Sequence, residues 1–120
     1  MRVTEATENY LEAILMISAR QEEVHAADVC AELGFSRPTV SEMVKTMREK
    51  GLIEVDGNNH LWLTENGREI ADRVYARHTV LMGLLTKLGV DRETALADAC
   101  KMEHDISDTT FECIRRFVNG

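Results

Sequence analysis

The chain has 120 residues, 44% hydrophobic and 29% charged, enough for one compact body or a small domain with an appendage. No apolar run approaches the length of a membrane span and the N-terminus lacks the form of a signal peptide, so a cytoplasmic protein without a membrane partner is expected. A formal net charge of −7 excludes simple electrostatic adhesion to nucleic acid, and Cys30, Cys100 and Cys113, an odd number inside helical patterns, fit thiols better than a disulfide framework.

In chain order, Thr4 caps a first helix that runs to about Gln21, with an acidic first turn that suits the helix dipole. Residues 22–25 link it to a short helical pattern, Ala26 to Leu33, which ends at Gly34. One tight turn later comes the stretch 35–51, which has both ends marked. Ser36 caps it, Pro38 sits in the first turn, where backbone N–H groups lack partners anyway, and Gly51 closes it. Val40, Met43, Val44 and Met47 share one face, while Thr39, Ser41, Glu42, Lys45 and Thr46 lie opposite. A buried stripe backed by short hydrogen-bonding groups and a base suits a helix entering the DNA major groove.

Residues 52–55 and 60–64 alternate around Asp56-Gly57-Asn58-Asn59 and read as a β-hairpin. Helix, Gly-containing turn, helix and hairpin, in that order with short links, make a winged helix. A long helix follows from Thr64 through Ile70, Val74, Ala76, Leu81 and Leu85 to Leu88, with Gly89 ending it. Asp91 caps a further helix over roughly 92–105, and Ser107 caps a last one through Phe111, Cys113, Ile114 and Phe117. The expected fold is therefore mostly α: a winged helix-turn-helix domain with a small β-hairpin wing over 1–73, then an all-helical domain over 74–120. A helical tail behind a winged helix most often makes a homodimer, giving the two-fold symmetry that DNA half-sites require.

Charge sets a condition on that reading. Residues 1–55 hold six Lys/Arg against ten Asp/Glu, and only 35–51 is locally positive. The chain alone should bind DNA weakly, so its acidic groups need an offset.

Cys100, Glu103 and His104 stand at i, i+3 and i+4 and project from one helical face. Thiolate, carboxylate and imidazole are main donors for transition metals. On spacing alone the ordinary reading is the better one: Cys100 a buried thiol, Glu103 and His104 a solvated pair. His78 on the long helix, and Asn9 and Glu12 on the first, are each unremarkable by themselves.

The chain resembles the diphtheria-toxin-repressor family of iron- and manganese-dependent transcriptional repressors. The resemblance is carried by Thr7 to Ile14, Pro38-Thr39-Val40-Ser41, Gly51-Leu52-Ile53, Leu63-Thr64-Glu65-Asn66-Gly67, Arg77-His78 and Cys100-Lys101-Met102-Glu103-His104-Asp105-Ile106-Ser107, and covers nearly the whole chain. It implies a short form without the SH3-like domain, a metal site joining the first helix to the dimerisation helices, and a dimer that represses metal-uptake genes when metal-loaded. His78, Glu103 and His104 match family ligand positions, and Glu12 falls where the manganese type has a ligand. Cys100 stands where the iron type has Cys and the manganese type Glu. Asn9 stands where the iron type has Met and the manganese type Asp, so it matches neither. Met82 and Leu96 occupy the places of a Glu and a His of the iron type's second site.

These donors favour Fe²⁺ or Co²⁺ over Mn²⁺, because both departures from the manganese pattern remove a carboxylate. Operator DNA is expected to meet Ser36, Arg37, Pro38, Thr39, Ser41, Lys45 and Arg48. Two rivals stand beside this reading: a redox-sensing winged helix using Cys100 and Cys113, and a hydrolytic metalloenzyme, in which the helix-turn-helix would have no role.

Overall fold

A computed structural model describes residues 3–120. The chain divides into two units, one ending at Asp72 and one beginning at Arg73.

In the first unit, α1 (Glu5–Ser18) starts where Thr4 Oγ1 accepts the Thr7 N–H at 3.1 Å. The helix stops at Ser18 rather than near Gln21. Arg20 and Gln21 both turn their N–H groups back to Ile17 O, which tightens the chain out of the helix. Helix α2 (Ala26–Leu33) ends at Gly34, whose φ of 73° is the left-handed conformation that glycine adopts without penalty. Helix α3 (Arg37–Glu49) begins at Ser36, with Pro38 in its first turn. Val40 and Met47 are buried; Met43 and Val44 are half-buried against the same core. That core joins Tyr10, Leu11, Ile14 and Ile17 of α1 to Val24, Val29, Leu52, Ile53, Leu61 and Ala71. Each large aliphatic side chain taken from water there contributes roughly 1.5–3 kcal/mol before the entropy of ordering the chain is set against it.

Strands β1 (Ile53–Val55) and β2 (Leu61–Leu63) pair antiparallel, Ile53 opposite Leu63 and Val55 opposite Leu61. The Asp56 carboxylate organises the turn between them. It accepts the N–H groups of Asn58 (2.9 Å) and His60 (3.0 Å) on one oxygen and the Trp62 indole N–H (3.0 Å) on the other. The His60 ring lies 4.0 Å from that of Trp62 and 6.1 Å from that of His25. Leu61 N–H also bonds Val24 O at 2.8 Å, tying β2 to the segment before α2.

Helix α4 (Glu65–Lys87) runs from the first unit into the second. Its start is locked to the end of α3: Thr64 Oγ1 donates to Gly51 O (2.6 Å) and accepts from Gly67 N–H (3.1 Å), while Thr64 N–H bonds Leu52 O. Gly67 is needed here, since a Cβ at that position would lie 1.9 Å from Leu52 O.

In the second unit, α5 (Arg92–Asp105) and α6 (Asp108–Asn119) are capped by Asp91 and Ser107. Helix α5 buries Ala95, Ala99 and Glu103, one stripe at four-residue spacing that ends in a carboxylate. Ala76, expected on the inner stripe of α4, is exposed. Arg77 takes that place in the series Val74, Arg77 and Leu81.

Candidate metal centre and nucleic-acid interface

Consecutive helical turns bring three ligand types together in the second unit. One donor atom each from His78 of α4 and from Cys100 and Glu103 of α5 lie within 4.8 Å of one another. Nδ1 of His78 and Oε2 of Glu103 are hydrogen-bonded at 2.9 Å. Glu103 Oε1 is buried and has no hydrogen-bond partner among the described residues; Nε2 of His104 lies 3.5 Å away, beyond ordinary bonding distance. A buried carboxylate oxygen left in that condition is costly, and a cation beside it would remove the cost. The mixed S, N and O donors fit a divalent transition metal.

The ordinary reading of this helix is reversed in the structure. Cys100 is the exposed member, Glu103 is fully buried, and the His104 side chain is only 2% exposed. His104 touches the other side of Glu103 rather than joining the three-atom cluster. Asn9 and Glu12 belong to α1, where Glu12 is buried and Asn9 half-buried. The three cysteines are thiols, Cys30 half-buried and Cys113 exposed with Arg116 3.7 Å from its sulfur.

On the other unit, Arg37, Thr39, Ser41, Lys45 and Arg48 are all exposed on α3. Ser36 is committed to capping: its Oγ accepts from Thr39 N–H (3.4 Å) and lies 2.9 Å from Thr39 Oγ1. Pro38 contributes helix geometry. Phe35 stacks on Tyr10, ring centres 5.8 Å apart, which fixes the turn that presents this face.

Two groups were given no role in the sequence reading. Arg77 is buried and bonded at several points, and it entered the reading only beside His78 in the family resemblance, although it stands between Val74 and Leu81 on an apolar stripe. The Asp56–Trp62 bond was signalled by nothing beyond the outward register of Trp62 in Leu61-Trp62-Leu63.

Similarity to known proteins bears on the two halves of the chain as domains. Residues 2–61 match the family described as "Iron dependent repressor, N-terminal DNA binding domain", and residues 64–120 match "Iron dependent repressor, metal binding and dimerisation domain". The chain is 35% identical over 114 residues to the transcriptional regulator MntR of Escherichia coli O157:H7, covering 95% of this chain and 74% of MntR. It is 36% identical over 119 residues to the iron-dependent repressor IdeR of Mycobacterium tuberculosis H37Rv, covering 98% of this chain and 52% of IdeR. The solved structure of the manganese regulator SloR superposes with a TM-score of 0.84 at 29% identity, over 94% of this chain and 53% of SloR. The chain thus spans about three quarters of MntR and about half of IdeR and SloR.

The fold and the two matched domains define a winged-helix regulator with a helical metal-binding and dimerisation domain. The chain belongs to the iron-dependent repressor family, whose members are metal-dependent transcriptional regulators. No described helix is long and apolar enough to cross a membrane.

Proposed function

We propose that this chain is a cytoplasmic, metal-dependent repressor of metal-uptake genes that acts as a homodimer on double-stranded operator DNA. The reading is carried by the convergence of His78, Cys100 and Glu103 in the half of the chain that matches the metal-binding family domain. His78, Cys100, Glu103 and His104 are assigned as ligands. A bound divalent cation supplies positive charge and a common anchor for donors from α4 and α5. Glu103 is a buried acid, and a bound cation offsets its charge and so reduces the acidity that opposes DNA binding. Moving such an equilibrium decisively needs about 5.5 kcal/mol of differential affinity, within the ~10 kcal/mol of apparent binding free energy that tight protein metal sites reach.

DNA contact is assigned to the exposed face of α3, with Thr39, Ser41 and Lys45 toward the groove and Arg37 and Arg48 toward phosphates. Assembly is assigned to the second unit, where Leu88, Leu96 and Phe117 leave large apolar side chains exposed.

The Cys100 thiolate is softer than a carboxylate. Mn²⁺ depends most on carboxylate oxygens, whereas Fe²⁺ and Co²⁺ accept mixed donors. Zn²⁺ has the affinity but prefers four tetrahedral ligands. Activation by Fe²⁺ or Co²⁺ over Mn²⁺ follows. A gel shift over a series of free metal concentrations under anaerobic conditions tests it: Fe²⁺ or Co²⁺ should activate first, and Co²⁺ should show a thiolate charge-transfer band that disappears in Cys100→Ser. Activation by Mn²⁺ at lower free concentration overturns the preference.

One observation favours a redox-sensing reading, the exposure of Cys100 and Cys113. Mass spectrometry after mild peroxide, showing a Cys100 adduct that releases DNA without metal loss, would support it. A metalloenzyme leaves α3 without a role, and the family is one of regulators.

A further inference from the structure

Arg77 is a charged side chain buried in a small unit, with only 8% of the residue exposed. Its bonding explains why that is tolerated. Nη1 donates to Glu103 O at 3.2 Å and to Ile106 O at 2.8 Å, Nη2 donates to Asp108 Oδ1, and the guanidinium carbon lies 5.1 Å from the centre of the Phe111 ring. The carbonyls of a helix's last turn have no intrahelical donor, and α5 breaks at Ile106, which is extended. Arg77 supplies those donors from α4, so it caps α5 from a neighbouring helix. Asp108 and Phe111 are in the first turn of α6, and the same fork therefore reaches the next helix.

Two successive residues of α4 thus hold one residue of α5. Arg77 grips the main chain of Glu103, and His78 grips its carboxylate at 2.9 Å. A carboxylate held only at its tip can swing about its own backbone; held at both ends, it has one position. We infer that Arg77 is a positioning residue for the metal site, fixing the backbone of Glu103 and tying that ligand to the start of α6. It touches no metal itself. The inference rests on the metal reading given above. Its added content is that the geometry of the site, and the α5–α6 corner with it, depends on a guanidinium fork that no other side chain reproduces.

The test uses the full chain and Co²⁺ alone as the probe, comparing wild type with Arg77→Gln, Arg77→Lys and Asp108→Asn. Three quantities are read: the Co²⁺ dissociation constant, the positions and intensities of the cobalt bands, and hydrogen exchange at the amides of 103–111 in the metal-free protein. Loss of a group that orients a ligand typically costs 10–100-fold in metal affinity, and Arg77→Gln should fall in about that range. Its cobalt bands should shift, and the amides of 106–111 should exchange faster. Arg77→Lys should recover only part of the affinity, because an ammonium cannot bridge two carbonyls and a carboxylate in one plane. Asp108→Asn removes one arm at an exposed carboxylate and should weaken Co²⁺ by less than about ten-fold.

A purely structural arginine would lower the melting temperature and leave both the affinity and the cobalt bands of the folded protein unchanged. That result in Arg77→Gln overturns the inference while leaving the metal reading intact. If Arg77→Gln does not fold, Asp108→Asn decides: unchanged affinity and bands overturn the inference, and weakened binding with shifted bands upholds it. Failure of the wild-type chain to bind Co²⁺ overturns the metal reading, and the inference with it.

Discussion

The two units reach order by different means. The unit through Asp72 has a contiguous apolar core drawn from α1, α2, α3, the start of α4 and both strands, and its joints are closed by backbone and hydroxyl hydrogen bonds. The unit from Arg73 buries Val74, Leu81 and two alanines together with an arginine and a glutamate, and leaves Leu88, Leu96 and Phe117 exposed. Burial of aliphatic groups is favourable under any condition in which the chain folds. Burial of ions is favourable only when every partner is present. The first unit rests mainly on its apolar core. The second unit's order depends in addition on the polar partners of Arg77 and Glu103.

The largest expected effect lies in the first unit. Gly67→Ala places a methyl group 1.9 Å from Leu52 O, a backbone atom that cannot move without breaking the Thr64–Leu52 bond. The junction between wing and α4 should open at a cost of about 3 kcal/mol or more. Thermal melting of the metal-free protein measures it, and a melting point within two or three degrees of wild type would mean that the junction adapts. Second comes the uncovered face of the other unit. Phe117 is 74% exposed, so Phe117→Glu should fold normally yet weaken self-association by roughly 30-fold or more, the behaviour of an interface hot spot. Sedimentation reads the dimer constant directly. An undiminished dimer would move the interface elsewhere on the unit.

The same contrast decides what was legible in the sequence. Helix caps are local, and Ser36, Asp91 and Ser107 marked their helices correctly because each acts on an N–H three residues away. The apolar stripe of α3 was legible for the same reason. The wing was located by its alternation, but the carboxylate that closes it was not, because its partner Trp62 is a matter of register. Spacing on α5 put Cys100, Glu103 and His104 on one face, yet could not say which of them is buried. That depends on His78 and Arg77, 25 and 26 residues earlier. Ala76 was placed inside and Arg77 left out, since a pattern of hydrophobicity has no means of recognising a buried charge whose partners are main-chain carbonyls.

A smaller effect is expected at the DNA-facing side of the stable unit. Arg37→Ala or Lys45→Ala removes one cation from an exposed face and should leave fold and metal affinity untouched. The salt dependence of operator binding should flatten by about one unit of slope for each phosphate that is no longer neutralised. Unchanged slopes in both variants would place the DNA-facing surface away from α3.

The smallest effect separates the wing from everything else in the first unit. The indole N–H of Trp62, followed by the backbone N–H of His60, holds the Asp56 carboxyl below its ordinary range. A carboxylate so depressed contributes stability that is fully present above the unfolded-state value, about 3.9, and is lost as pH falls through the lower folded value. The wing lock should therefore be intact at neutral pH and released only in strong acid. Trp62 is the chain's single tryptophan, so its emission reports the event without interference. Acidification from about pH 5 to about pH 2 should change that emission as the indole loses its anionic acceptor, with α1–α3 still folded by far-ultraviolet circular dichroism at the start of the change. Asp56→Asn should abolish the acid step and shift the neutral-pH emission toward the acid form. If the variant keeps the same step at the same pH, the indole is reporting loss of the apolar core rather than of the Asp56 bond, and the wing shares the stability of the unit that carries it.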